Sequence, residues 1–128
     1  MEKEHSILIV DDDMSNLMVL TKILLPEYKL YTVTDGITAL EKANKSLPDL
    51  ILLDIIMHDM SGYEVLSELK KSERTKSIPV IFISGLSEEN INDQMPANSA
   101  ADYIMKPFDE ATVKLKVRQQ LDKILITV

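Results

Sequence analysis

A chain of 128 residues, 45% hydrophobic and 27% charged, is long enough to bury one hydrophobic core and too short for two ordinary ones. Its net charge of −7 argues against direct nucleic-acid binding, because duplex affinity rests largely on Lys and Arg neutralising phosphates. The absence of cysteine excludes disulfides and thiolate metal sites, and the charged start Met1-Glu2-Lys3-Glu4-His5 has no signal-peptide pattern. No apolar run is long enough to cross a bilayer, so a cytoplasmic protein without membrane contact is expected.

The first strand is predicted near residues 6 to 11, where Ile7-Leu8-Ile9-Val10 runs into Asp11-Asp12-Asp13. Four consecutive apolar residues suit a strand covered on both faces, and carboxylates where it stops can hold a hard divalent cation. On its own the triplet reads as an acidic loop, with Asp13 capping the next helix. His5 falls in a tail. Helix one is expected to run from after Asp13 to about Leu25, burying Leu17, Leu20 and Leu24, with Pro26 helping to end it. A second strand covers 29 to 34. Helix two, from Gly36 to about Ser46, presents Ile37, Leu40, Ala43 and Leu47 at helical spacing. Strand three, 49 to 54, repeats the first pattern as Asp49-Leu50-Ile51-Leu52-Leu53-Asp54, and a helix near 62 to 72 offers Val65, Leu66 and Leu69.

Strand four, 78 to 84, reads Ile78-Pro79-Val80-Ile81-Phe82-Ile83 and ends in the hydroxyl of Ser84. Between Ser87 and Ala100 only Ile91 and Met95 are large and apolar, Asn and Asp compete for backbone hydrogen bonds, and Pro96 interrupts. A short or frayed fourth helix is expected there, over about 88 to 98. Strand five spans 101 to 105, and Asp109 caps a last helix whose stripe is Val113, Val117, Leu121 and Ile124.

Strands alternating with helices predict an α/β fold, a doubly wound five-stranded parallel sheet of order 2-1-3-4-5, flavodoxin-like. Ligands of such sheets bind outside the carboxyl ends of the strands, where the strand order reverses, here between strands one and three. Asp11, Asp12 and Asp54 meet at that point. Crowded carboxylates repel each other unless a cation intervenes, and Mg²⁺ suits all-oxygen ligation, with Mn²⁺ as a substitute. A carboxylate beside Mg²⁺ can also act as nucleophile towards a phosphoryl group, given a cation and a hydroxyl near the phosphoryl oxygens. Lys106 and Ser84 are placed to provide them. Alone, Lys106 would be a solvated charge and Ser84 a hydroxyl satisfying loop backbone. Asp54, directly after four apolar residues, is costly near a core without a partner or cation.

The segments LIVDDD at 8 to 13, PDLILLDIIMHDMSGYE at 48 to 64, PVIFISG at 79 to 85 and DYIMKPFD at 102 to 109 resemble, over essentially the full length, a receiver domain of two-component response regulators. The resemblance implies that Asp54 is the phosphoacceptor. It implies that Asp12 holds Mg²⁺ directly, Asp11 through water, and the backbone carbonyl of Ile56 completes the set. Ser84 then hydrogen-bonds the phosphoryl group, and Lys106 is the cation before a cis proline, Pro107. Tyr103 takes the switch position, although it could equally be an edge-strand aromatic. The implied donor is a phosphohistidine on a sensor histidine kinase or histidine phosphotransfer protein, and Gly85 leaves room for the donor or a hydrolytic water. The output is a shift on the face made by the fourth helix, strand five and the last helix, through which a homodimer can form. Such a chain catalyses its own phosphorylation and dephosphorylation but is not a free-standing enzyme.

Two residues depart from the family pattern: His58 stands where Pro usually follows the Met, and Ser99 where Gly usually precedes Ala100. His58 reads either as an exposed substitution that loosens the loop or as an imidazole tuning acyl-phosphate lifetime or kinase docking. A rival reading is a haloacid-dehalogenase-like phosphatase, in which Asp11 and Asp13 form the DxD pair and Asp11 is the nucleophile. A third is a phosphorylation-independent interaction module, which would need none of these groups together. Residues 1–128 are read as one receiver domain, and the stretch Lys114 to Leu121 resembles receiver ends that continue into a linker helix, so an output domain beyond this chain is favoured over a stand-alone receiver.

Overall fold

The computed structural model describes residues 5–85 and 100–126. The helix expected over 88 to 98, Pro96, Ser99 and the side chain of Ile124 lie outside the described residues. Within them the chain alternates β1 (Ser6–Val10), α1 (Met14–Leu24), β2 (Lys29–Val33), α2 (Gly36–Ser46), β3 (Leu50–Asp54), α3 (Gly62–Lys71), β4 (Val80–Ser84), β5 (Asp102–Met105) and α4 (Glu110–Ile126). All neighbouring strands are parallel, in the order β2-β1-β3-β4-β5. This is the expected doubly wound architecture.

Continuous apolar strands are needed because both faces of the sheet are covered. Ile7, Ile9, Leu50, Leu52, Ile81 and Ile83 face α1 and α4, meeting Leu17, Leu20, Ile23 and Leu24 on one and Val113, Val117 and Leu121 on the other. The alternate residues Leu8, Val10, Ile51, Leu53, Val80 and Phe82 face α2 and α3, meeting Ala39, Ala43, Val65, Leu66 and Leu69. Asp13, Asp35 and Ser61 cap α1, α2 and α3 by accepting from backbone N–H groups of Ser15, Thr38 and Glu64. Asp109 does the same for α4 through the Thr112 N–H, at 2.9 Å.

Helix α2 departs from its expected stripe. Ile37 and Leu47 are exposed, whereas Gly36, Ala39 and Ala43 are buried and Leu40 only partly so. Leu47 has left the helix, with φ of 46°, because Pro48 disfavours the right-handed helical conformation in the residue before it. His5 is not in a tail either: its carbonyl accepts from the Lys29 N–H at 3.0 Å, and its Nδ1 lies 3.6 Å from Asp49 Oδ2. Asp49 also accepts from the Ser6 N–H at 2.9 Å, so it secures the start of β1.

The first residue of α3 packs backbone against backbone behind the end of β3. A Cβ on Gly62 would sit 2.4 Å from the Asp54 carbonyl oxygen and 2.8 Å from Ile55 Cα. Neither neighbour is a flexible side-chain tip that could move aside. Gly62→Ala is therefore expected to cost about 1–3 kcal/mol in urea unfolding. Gly85→Ala, whose Cβ would meet nothing within 4 Å among the described residues, should change stability by less than about 0.5 kcal/mol.

Candidate functional site

Sheet register builds the site. Val10 pairs with Leu53, so the next residues, Asp11 and Asp54, emerge side by side from the two central strands. One carboxylate oxygen each from Asp11, Asp12 and Asp54 lie within 4.8 Å of one another. Asp11 is wholly buried and Asp54 is 4% exposed, while Asp12 is half-buried on the rim. Lys106, just past β5, is held by its N–H donating to the Ser84 carbonyl at 2.8 Å. Its Nζ reaches across the sheet edge to Asp11 Oδ2 at 3.2 Å and Asp54 Oδ1 at 3.3 Å. The Lys106–Pro107 peptide is cis.

Electrostatics at this edge are strongly coupled. Burial, followed by the Asp11 charge, pushes the Asp54 carboxyl up to about 6, against the lowering influence of Lys106. Burial alone would lower the Lys106 ammonium, but Asp54 and Asp11 more than offset it and hold it above the ordinary lysine value. Asp11 Oδ1 accepts from the Asp13 N–H at 2.9 Å, whereas buried Oδ2 has, among the described residues, only the Lys106 ammonium at 3.2 Å. A buried carboxylate oxygen in that condition, with two further carboxylates beside it, is a donor set suited to a hard divalent cation. Asp13, by contrast, points away as the α1 cap, its carboxyl held below the usual range by the Ser15 hydroxyl and N–H.

The remaining expected site residues are distributed around this cluster. Ser84 is buried at the end of β4, one residue beyond Ile83, the partner of Asp54. Ile56 lies in the loop past β3 with its side chain exposed. Tyr103 is not in the acidic cluster: it is half-buried and stacks on Phe82 with ring centroids 6.1 Å apart, and Phe82 in turn meets the edge of Tyr63 at 5.5 Å. His58 is 96% exposed at its side chain, yet its Nε2 lies 3.4 Å from Asp12 Oδ2.

The sequence reading missed Asp59. Its carboxylate accepts from the Gly36 and Ile37 N–H groups at 3.0 and 3.1 Å, tying the loop after β3 to the start of α2, and those bonds, Gly36 first, hold its carboxyl below the usual value. It missed Lys116 too, which bonds the Tyr103 carbonyl at 2.6 Å and Asp102 Oδ1 at 3.1 Å, fixing β5 to α4. Lone charged residues in a loop and on a helix face gave no periodic signal for either role.

Residues 7–118 match the response regulator receiver domain family. This chain belongs to that family. Response regulator PleD from Caulobacter vibrioides is 39% identical over 113 residues, covering 88% of this chain and 25% of PleD, so the receiver domain spans about a quarter of that relative's length. Among solved structures, chemotaxis protein CheY4 from Vibrio cholerae matches with a TM-score of 0.83 at 28% identity, over 91% of this chain and 98% of its own. Response regulator TrrA from Thermotoga maritima, in complex with Mg²⁺-BeF, matches with a TM-score of 0.82 at 31% identity, over 91% and 99%. Receiver domains are signalling domains rather than classical enzymes and pair with histidine kinases; relatives of this one include a hybrid histidine kinase. No helix among the described residues is long and apolar enough to cross a membrane.

Because the folded Asp54 carboxyl binds its proton more tightly than an unfolded one, it favours folding below about 3.8 and loses that contribution as pH rises towards about 6. Above that range the ionised group burdens the metal-free fold. Asp54→Asn should thus remove a falling slope of stability between these values, and should stabilise the metal-free protein at neutral pH by about 1–2 kcal/mol. Urea titrations of both proteins in chelator across this range check it.

Proposed function

We propose that this receiver domain takes a phosphoryl group onto Asp54 from the phosphohistidine of a sensor histidine kinase or histidine phosphotransfer protein. The observation that supports the reading best is the buried Asp54 carboxylate beside the buried Asp11, with the Lys106 ammonium 3.2 Å from Asp11 Oδ2 and 3.3 Å from Asp54 Oδ1. Asp11, Asp12, Asp54 and the Ile56 carbonyl would hold the cation, Asp12 directly and Asp11 through water. Mg²⁺ is favoured by the oxygen donors and by its presence in the TrrA structure, and Mn²⁺ is the substitute. When bound, such a cation would offset the burial and the Asp11 charge that raise the Asp54 carboxyl, and would neutralise charge on the transferring group.

An ionised Asp54 oxygen attacks phosphorus, the phosphorus–nitrogen bond breaks, and its electron pair returns to the donor imidazole. The product is an acyl phosphate and a free histidine. Lys106 sits where its charge can stabilise the phosphoryl oxygens, and Ser84, at the neighbouring strand end, is the hydroxyl we assign to them. Movement of Ser84 and Lys106 towards the phosphoryl group would draw on β5, where Tyr103 is stacked against Phe82, and so bias the face that β5 shares with α4. That face is also the homodimer surface in this reading. Among the described residues nothing lies within 4 Å of a Cβ added at Gly85, beside Ser84.

Acetyl phosphate with Mg²⁺ should add one phosphoryl group, mapped by peptide mass spectrometry to Asp54 and absent from Asp54→Asn. Label on Asp11 would instead identify the phosphatase chemistry, and no label on wild type would leave an interaction module. Lys106→Ala should slow phosphorylation by on the order of a hundredfold.

A further inference from the structure

The loop between β3 and α3 carries the Ile56 carbonyl assigned to the cation, yet the side chains of Ile56 and His58 are exposed and do not anchor it. Two polar ties fix its course. At its base the Ile55 carbonyl accepts from the Gly62 N–H at 2.7 Å. Farther along, Asp59 Oδ1 accepts from the Gly36 N–H at 3.0 Å and Oδ2 from the Ile37 N–H at 3.1 Å, and neither oxygen belongs to the convergent acidic trio. Met60, the next residue, lies so close to Gly36 that a Cβ there would overlap its side chain. Helix α2 buries Gly36, Ala39 and Ala43, so the amides that Asp59 holds belong to a packed element. Mg²⁺ keeps its ligands at about 2.0–2.1 Å in near-octahedral geometry, and a carbonyl on a wandering loop suits it poorly.

We propose that Asp59 is a positioning residue of the acidic site: by fastening the loop to the start of α2 it presents the Ile56 carbonyl to the cation and raises Mg²⁺ affinity without touching the ion. The inference rests on the reading that Asp11, Asp12, Asp54 and the Ile56 carbonyl hold Mg²⁺. Coupling of this kind is reciprocal, so the bound ion must in turn tighten the tie between Asp59 and α2.

The test is calorimetric titration of the full chain with Mg²⁺ in wild type, Asp59→Ala and Asp35→Ala. Asp35 is the matched control, because its carboxylate caps the same helix through the Thr38 N–H at 2.7 Å but lies outside the loop after β3. Asp59→Ala should weaken Mg²⁺ binding by on the order of tenfold. Asp35→Ala, which also removes one acidic charge and one cap of α2, should change it by less than about twofold. In wild type, with no variant needed, Mg²⁺ should slow amide hydrogen exchange at Gly36 and Ile37 more than at Thr38. Equal affinities of the two variants would reduce Asp59 to one more helix cap. A loss in Asp59→Ala that vanishes in about 1 M KCl, where the Debye length is about 3 Å, would reduce it to a distant charge. Either result, or exchange at Gly36 and Ile37 that Mg²⁺ leaves unaltered, overturns the proposal. A wild-type chain that binds no Mg²⁺ would overturn the metal-site reading itself, and this inference with it.

Discussion

The burial of Asp11 and Asp54 side by side is the constraint around which the rest of this molecule is arranged. Two carboxylates buried side by side at the end of the sheet repel each other. Lys106 answers part of that repulsion from beyond β5, three strands from Asp11 and two from Asp54, while burial and the Asp11 charge still raise the Asp54 carboxyl. A site poised in this way favours whatever brings positive charge to it. The same repulsion that burdens the metal-free fold therefore becomes attraction for a cation.

Holding such a pair requires a frame that does not relax around it. The frame is the parallel register: β1 against β3 sets Asp11 beside Asp54, and β4 against β5 sets Lys106 beyond Ser84. Each strand is locked in register by alternate residues entering two different cores, so slipping one residue would turn both apolar sets onto the wrong helices. Backbone packing of Gly62 against Asp54 closes the arrangement from behind.

Much of this was legible in the residues. Apolar runs ending in acids marked β1 and β3, a third run ended in the hydroxyl of Ser84, and the strand order made the convergence of Asp11, Asp12, Asp54 and Lys106 a matter of topology. What the pattern hid had physical causes. Ile37 and Leu47 matched a helical stripe, yet α2 approaches so closely, with Gly36 against Met60 and Val65, that small residues take the inward positions. His5 looked like a charged terminus because its value lies in one backbone carbonyl and a distant Asp49. The contact between His58 and Asp12 joins two loops, and periodicity says nothing about loops. Tyr103 was open between switch and edge aromatic, and its stack on Phe82 places it against the α2 and α3 core rather than at the acids.

Among the described residues, the starts of α1, α2 and α3 each carry a side-chain oxygen of the chain's own. Asp59 and Asp35 take the first three amides of α2, Asp13 takes Ser15 on α1, and Ser61 takes Glu64 on α3. Free amides at such positions are what many folds use to pull phosphate out of bulk water. Here that pull is spent internally, inside a molecule of net charge −7. Long-range steering thus opposes any anionic visitor, and an encounter with one must draw on short-range contact.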